Sequence, residues 1–139
     1  MPLYGIAGNG SLVRINESIP GSSSIIGSTQ VTRAYGAFYD NGVYIIGRDD
    51  DTIYRVNPSD PDSTTSPFGS QGRLAALGTM TGMTTDGTTV YGVAIRDLWA
   101  FTLNNLSGAT SARLPAGCDN AQAIVWFNGN LYVLSLIHI

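Results

Sequence analysis

The sequence contains no lysine, a single histidine (His138) and a single glutamate (Glu17), and charged residues occupy only 12% of its 139 positions. Enzyme nucleophiles are activated by a neighbouring His, Lys or acid, and this inventory offers few such pairs. The seven arginines are scattered and the formal charge is −3, which leaves no basic stripe for a phosphate backbone. We therefore predict no catalytic residue and no nucleic-acid partner.

Cysteine is almost as scarce. Cys118 is the one cysteine, so an internal disulfide is excluded, and one Cys with one His cannot make a Cys/His zinc site. The acidic run Asp49–Asp51, with Asp60 and Asp62, lacks the alternate-residue spacing of a calcium loop, so a solvated turn is the favoured interpretation. We predict no metal site and no cofactor.

Long apolar runs are also missing. No stretch approaches the roughly 18 apolar residues of a membrane span, and the start MPLYGIAGNG lacks the basic, apolar and small-residue order of a signal peptide. We predict no membrane span from this chain. Secretion is neither indicated nor excluded by the missing signal peptide.

What the sequence does contain is a repeat. The segments LYGIAGNGSLVRIN (3–16), VYIIGRDDDTIYRVN (43–57), VYGVAIRDLWAFTLN (90–104) and LYVLSL (131–136) align on a tyrosine in second place. These tyrosines, at positions 4, 44, 91 and 132, are 40, 47 and 41 residues apart. The asparagines that end the first three copies, at 16, 57 and 104, give nearly the same period. Repeats of this length are typical of stacked supersecondary units.

Each later copy follows a turn signal, which is DNG at 40–42, DG at 86–87 and NG at 128–129. A short strand candidate precedes each turn, at 34–40, 82–86 and 123–127, and the stretch 73–79 is a weaker fourth strand. Consecutive apolar residues after the turns indicate strands covered on both faces. We therefore expect Tyr44, Ile46, Tyr91 and Val93 to be buried and Asp49–Asp51 to be exposed.

Four antiparallel strands repeating every forty-odd residues predict an all-β chain built of β-propeller blades. At these residues the chain resembles the β-propeller repeats of bacteria and invertebrates whose blades read LY-x-(I/V)…(L/I)-(Y/V)-R-(I/V)-N-P. That group includes lectins, adhesion modules, hydrolases and quinone-dependent enzymes, so the resemblance implies a fold and selects no activity. We expect one partial propeller domain over 1–139, with repeats at about 3–42, 43–89 and 90–130 and a partial strand at 131–139.

About three blades cannot close a ring, since closed propellers have typically four to eight. We therefore expect an open arc or a piece of a larger ring, which would self-associate through exposed blade edges if isolated. The ending LSLIHI also resembles translated adaptor read-through, so His138 carries no functional weight.

Two sets of residues are candidates for ligand contact. Arg48-Asp49 and Arg96-Asp97 recur at the turn after the second strand and could line one rim of the propeller, although ion pairing or turn solvation is the more ordinary role. Trp99 and Trp126 could stack on a sugar, although packing between blades is the default for such residues.

Two functions remain open. The favoured hypothesis is a non-catalytic binding or scaffold module, extracellular or at the cell surface, that presents loops to a protein or glycan. The alternative is a piece of a propeller enzyme whose catalytic or metal residues lie in other blades.

Overall fold

The computed structural model describes residues 3–31, 33–49, 51–63 and 74–136. Within them the regular structure is β-strand with three short 3-10 helices, at Pro20–Ser22, Pro61–Ser63 and Ala75–Thr79. The described strands are β1 (Leu3–Ile6), β2 (Ser11–Ile15), β3 (Ser24–Ser28), β4 (Ala34–Tyr39), β5 (Val43–Gly47), β6 (Thr52–Val56), β7 (Gly82–Thr85), β8 (Val90–Ala94), β9 (Asp97–Thr102), β10 (Asn105–Arg113), β11 (Ala121–Phe127) and β12 (Asn130–Ser135).

These strands form four antiparallel sheets in chain order. The first sheet is β1-β2-β3, the second β4-β5-β6, the third β7-β8-β9-β10 and the fourth the hairpin β11-β12. Every pairing joins strands that are neighbours in sequence, so each sheet is a meander. The all-β prediction is confirmed.

The turn chemistry placed the hairpins correctly. Asn128 and Gly129 have φ angles of 54° and 81°, and positive angles at both central residues are what a type I′ turn requires. Asn41 also has a positive φ, of 51°, at the turn between β4 and β5. The predicted strand segments at 34–40, 82–86 and 123–127 became β4, β7 and β11.

One predicted strand is wrong. The fourth strand expected at 73–79 is, in its described part, a 3-10 helix at Ala75–Thr79. Met80, directly after it, is fully buried, and its side chain occupies the space beside Gly92 on the third sheet. The apolar residues that suggested a strand therefore fill the gap between two sheets, and the second sheet has three described strands.

The sheets pack face to face in chain order. We call the face that carries the aligned tyrosine the leading face of its sheet and the opposite face the trailing face. Between the first and second sheets lie Tyr4, Ile6, Leu12, Val43, Ile45 and Val56. Between the second and third lie Phe38, Tyr44, Ile46, Ile53, Val90, Ala94 and Phe101, with Leu77 and Met80. Between the third and fourth lie Tyr91, Val93, Leu98, Ile124, Leu131 and Val133.

The burial predictions are largely confirmed. Tyr44, Ile46 and Val93 are 6%, 0% and 0% exposed, while Tyr91 is half-buried. Asp49 is exposed as expected, whereas Asp51 is half-buried, and Asp50 lies outside the described residues. The middle strands β5 and β8 thus lie between two apolar layers, which explains their unbroken apolar sequence.

The outer strand of the first sheet is covered by a distant segment. At Gly27 in β3, a Cβ would collide with the ring of Pro61. Next to it, the Ser28 amide donates a hydrogen bond of 2.8 Å to the Asp62 carboxylate. The 3-10 helix Pro61–Ser63 therefore packs on the first sheet, and a glycine at position 27 permits that approach.

Candidate ligand-binding rims

The stack of sheets has two rims. The hairpin rim contains the β4–β5 turn at 40–42, the β7–β8 turn at 86–89 and the loops that follow β2, β6 and β9. The arginine rim contains the β5–β6 turn at 48–51 and the β8–β9 turn at 95–96. Because strands β5 and β8 each run from the first rim to the second, residues of the two rims do not share a surface.

Arg48, predicted as a ligand-facing residue, is held by the protein itself. Its Nη2 donates a 2.6 Å hydrogen bond to the carbonyl of Met80, and its guanidinium carbon lies 3.9 Å from the centre of the Tyr35 ring. Its Nε is buried and has no hydrogen-bond partner among the residues that the structure describes. Arg48 therefore links the second sheet to the segment leading into the third.

The other predicted rim residues pair with partners that the sequence did not suggest. Asp49 contacts Arg33 at 3.2 Å, and Arg96 lies 3.8 Å from Asp119. The Arg33 and Asp49 side chains are 65% and 43% exposed, so this pair contributes little to stability. Asp97 is half-buried and pairs with Ala94 as the first residue of β9. A ligand role for these residues stays a prediction.

The two tryptophans lie in different environments. Trp99 on β9 is half-buried against the core between the second and third sheets. Trp126 on β11 stacks on Tyr91 of the third sheet, with ring centres 5.8 Å apart and planes at 9°. The Trp126 amide also donates to Thr84 Oγ1 at 3.0 Å. Both side chains therefore pack between sheets, and sugar stacking by either stays a prediction.

Tyr91 belongs to a polar cluster at the hairpin rim. The Asp86 carboxylate accepts hydrogen bonds from the backbone amides of Thr89 and Thr88, at 2.7 and 2.8 Å, and from the Tyr91 hydroxyl at 3.1 Å. Hydrogen bonds from the Thr89 and Thr88 amides, which favour the charged form, lower the pKa of Asp86 below its ordinary value. Burial, together with the hydrogen bond to Asp86, raises the pKa of Tyr91.

The hairpin rim also contains an open cleft between the first and second sheets. Its volume is about 290 Å³, and its walls are Leu3, Tyr4, Glu17, Ala37, Phe38, Tyr39 and Val43. Apolar atoms dominate the lining, and Glu17 supplies the carboxylate. We call this feature the Tyr4–Tyr39 cleft.

Two further hollows lie on the same rim. One has a volume of about 290 Å³, and its walls are Tyr39, Asn41, Gly42, Arg55, Val56, Asn57 and Pro58. The other, of about 320 Å³, lies between Asp40 and the β7–β8 turn. These three concave surfaces thus lie on the rim opposite the one that the recurring Arg-Asp pairs suggested.

Sequence reasoning missed Tyr39 and Glu17. Tyr39 in β4 and Trp126 in β11 occupy equivalent positions. Phe38 pairs with Tyr44, and Val125 pairs with Tyr132. Tyr39 and Trp126 each come one residue after that partner of the aligned tyrosine. Aligning the strands before the turns, as well as those after them, would have revealed the match. Glu17 carries no such signal, since it lies in an irregular loop after β2.

Neither a metal site nor a membrane helix is found in the described ranges. No group of three or more His, Cys, Asp or Glu side chains there could hold a metal ion. Among the same residues, no helix has the length and apolar character needed to cross a membrane.

Comparison with known proteins gives information on the fold alone. No protein-family model matches the sequence, and no curated protein matches it. A propeller-fold chain in the crystal structure of a nidogen/laminin complex superposes with a TM-score of 0.60 and 14% sequence identity over 95% of this chain. The match covers 51% of that chain, so the present chain spans about half its length. Together with the four stacked meanders, this similarity shows that the chain has the fold of β-propeller blades.

Proposed function

We propose that this chain is a non-catalytic binding module whose hairpin rim receives a side chain of a protein ligand in the Tyr4–Tyr39 cleft. The observation that supports it is a difference between two equivalent places in the fold. Where the third and fourth sheets meet, Trp126 stacks on Tyr91. Where the first and second sheets meet, Tyr39 is 49% exposed and a cleft of about 290 Å³ separates the two sheets.

The size of the cleft favours a single side chain. Pockets for drug-sized ligands are about 300–1,000 Å³ and enclose most of the ligand, so the volume of this cleft lies just below that range. Binding energy at protein interfaces is concentrated in a few aromatic and arginine anchors that fill such pockets. A planar side chain between Tyr4 and Tyr39 would repeat the stacking that Trp126 and Tyr91 make within the chain.

The charge at the cleft favours a basic neighbour for that anchor. Glu17 is the chain's one glutamate and lines the cleft, and no described arginine lines it. A carboxylate beside an apolar pocket attracts a cation and disfavours an acidic ligand, which contributes to specificity more than to affinity. The proposed ligand is therefore a peptide segment in which an aromatic residue lies next to Arg or Lys.

Two finer predictions belong to the same proposal. The structural neighbour was crystallised in a complex of two proteins, which is consistent with a protein ligand and an extracellular location for this chain.

We also propose that the tyrosine-bearing segments are copies of one blade motif with the boundaries predicted above. The pairing of Tyr4 with Arg14 and of Tyr44 with Arg55, at the same places in two sheets, supports this repeat.

Self-association of the isolated chain is the last part of the proposal. β1 and β12 each lie at the edge of a described sheet, and edge strands present unpaired backbone groups to other chains.

The cleft can be tested by NMR titration with two acetylated and amidated dipeptides, Trp-Arg and Trp-Asp. We expect Trp-Arg to shift the amides around Tyr4 and Tyr39 with a dissociation constant of roughly 1 mM, as suits one small anchor. Tyr39→Trp should fill the cleft and abolish binding. Glu17→Gln should reduce the preference for Trp-Arg over Trp-Asp by about threefold, the scale of an exposed ion pair.

Thr88→Ala, an exposed change elsewhere on the hairpin rim, is the matched control and should leave the titration unchanged. Equal binding to the wild type and Tyr39→Trp would refute the cleft as the site. A methyl glucoside that shifts the same amides when neither dipeptide does would replace the protein ligand with a glycan.

A further inference from the structure

The packing of the four sheets follows one rule. The leading face of each of the first three sheets packs on the trailing face of the next sheet in chain order. At each of the three interfaces, an apolar leading face meets an apolar trailing face. A leading face in this chain is therefore built to accept a trailing face.

Among the described residues, no sheet covers the leading face of the fourth sheet. Its apolar side chains are Val125, Phe127, Tyr132 and Leu134, which are 51%, 66%, 53% and 64% exposed. The opposite face of the same hairpin contains Ile124, Leu131 and Val133, which pack on the third sheet. The hairpin thus presents large apolar residues on both sides, although only one side is covered. Contiguous exposed apolar surface of this kind marks an interaction site.

The part of the chain that the structure describes leaves the trailing face of the first sheet uncovered as well. Ile25 and Leu3 are 70% and 51% exposed, and the strand pairing puts Val13 opposite Ile25 and Ile15 opposite Leu3 on the same face. No charged residue belongs to this set or to the uncovered set on the fourth sheet. Contact between the two faces would therefore bury apolar surface without burying an unpaired charge.

We propose that the leading face of the fourth sheet in one copy packs on the trailing face of the first sheet in a second copy. The contact would continue the three interfaces inside the chain with a fourth of the same kind. It joins two different surfaces, so it is heterologous and adds copies head to tail until a ring closes or a filament forms. This inference rests on the proposed self-association, for which it specifies sheet faces in place of strand edges. Among the residues named here it shares only Leu3 with the Tyr4–Tyr39 cleft, and the variants that test it leave Leu3 unchanged.

Sedimentation velocity on two variants tests the heterologous contact. Leu134→Lys places a positive charge on the leading face, and Ile25→Lys places one on the trailing face. We expect the wild-type mass to rise with concentration beyond a dimer. Each variant alone should associate at least about a hundredfold more weakly, because a charge is costly to bury in an apolar interface. An equimolar mixture retains one intact pair of faces, so it should form a dimer and grow no further.

Ser107→Glu, an exposed change on β10, is the control and should associate like the wild type. Circular dichroism of each variant establishes that it is folded. A wild type that stays monomeric at every concentration would overturn both the self-association and the contact of faces. Undiminished association of Ile25→Lys alone, or no dimer in the mixture, would overturn the contact of faces and leave edge pairing as the mode of association.

Discussion

The indole of Trp126 lies parallel to the ring of Tyr91, with 5.8 Å between centres, and this stack joins the fourth sheet to the third. Removing it should loosen the fourth sheet. We expect Trp126→Ala to lower the free energy of unfolding by about 1–3 kcal/mol, less than a fully buried tryptophan because Trp126 is half-buried. Ser107→Ala, an exposed change on β10, is the control and should change stability by less than about 0.5 kcal/mol. Urea unfolding measures both, and equal losses would contradict the stacking role.

The close approach of the third and fourth sheets predicts a second result. A Cβ at Gly82 would lie 3.3 Å from the Cα of Ala123 and 3.4 Å from the amide nitrogen of Ile124. Because backbone atoms cannot rotate away, Gly82→Ala should force the sheets apart and cost about 1–3 kcal/mol. At Gly21 nothing lies within 4 Å, so Gly21→Ala should be neutral or slightly stabilising. Urea unfolding distinguishes the two, and a neutral Gly82→Ala would disprove the tight packing.

The two arginines of the arginine rim should differ in their contribution to stability. Arg48→Ala removes a hydrogen bond to the Met80 carbonyl and the contact with Tyr35, so we expect a loss of about 1–3 kcal/mol. Arg33→Ala removes one exposed ion pair with Asp49 and should cost less than about 1 kcal/mol. Arg48→Lys retains the charge without the planar group and should recover only part of the loss. Chemical unfolding at low and high salt measures these losses. Salt should reduce the loss caused by Arg33→Ala and leave the loss caused by Arg48→Ala unchanged.

The polar cluster at Asp86 predicts a pH dependence. Its folded pKa lies below the ordinary value of 3.8, because backbone amides stabilise the carboxylate. The resulting stabilisation is therefore present above the ordinary Asp pKa and is lost as the pH falls through the folded value. We expect Asp86→Asn to lower Tm at neutral pH, with a difference from wild type that shrinks in acid. Thermal unfolding at several acidic pH values measures this difference in Tm. A difference that does not change with pH would contradict the stabilising role of the Asp86 charge.

The middle of each sheet was predictable from sequence because local and tertiary signals agree there. Tyr44 and Ile46 follow the turn residues DNG and lie in a strand that is apolar on both faces. The turn signal and the apolar pattern therefore both predicted a buried strand at this place. The strands before the turns, β4, β7 and β11, were found for the same reason.

The segment at 75–79 was misassigned because its pattern is ambiguous. Its short apolar sequence fits a strand or a turn of helix equally well, and the packing of Leu77 and Met80 between two sheets selected the helix. The Tyr4–Tyr39 cleft could not be predicted for a different reason. It depends on the distance between two sheets and on the separation of Tyr39 from Tyr4 where the equivalent Trp126 stacks on Tyr91, and neither is a property of any single stretch of sequence.

Pro61 beside Gly27 has a consequence for aggregation. The loop that follows β6 in sequence returns to the outer strand of a different sheet, where Asp62 accepts the hydrogen bond that the Ser28 amide would otherwise offer to another chain. Pro61 itself has no N–H to donate, so it cannot extend the ladder. The segment Pro61–Ser63 thus hinders amyloid-like strand addition at the Gly27–Ser28 end of β3, which leaves β1 as the more open edge of the first sheet.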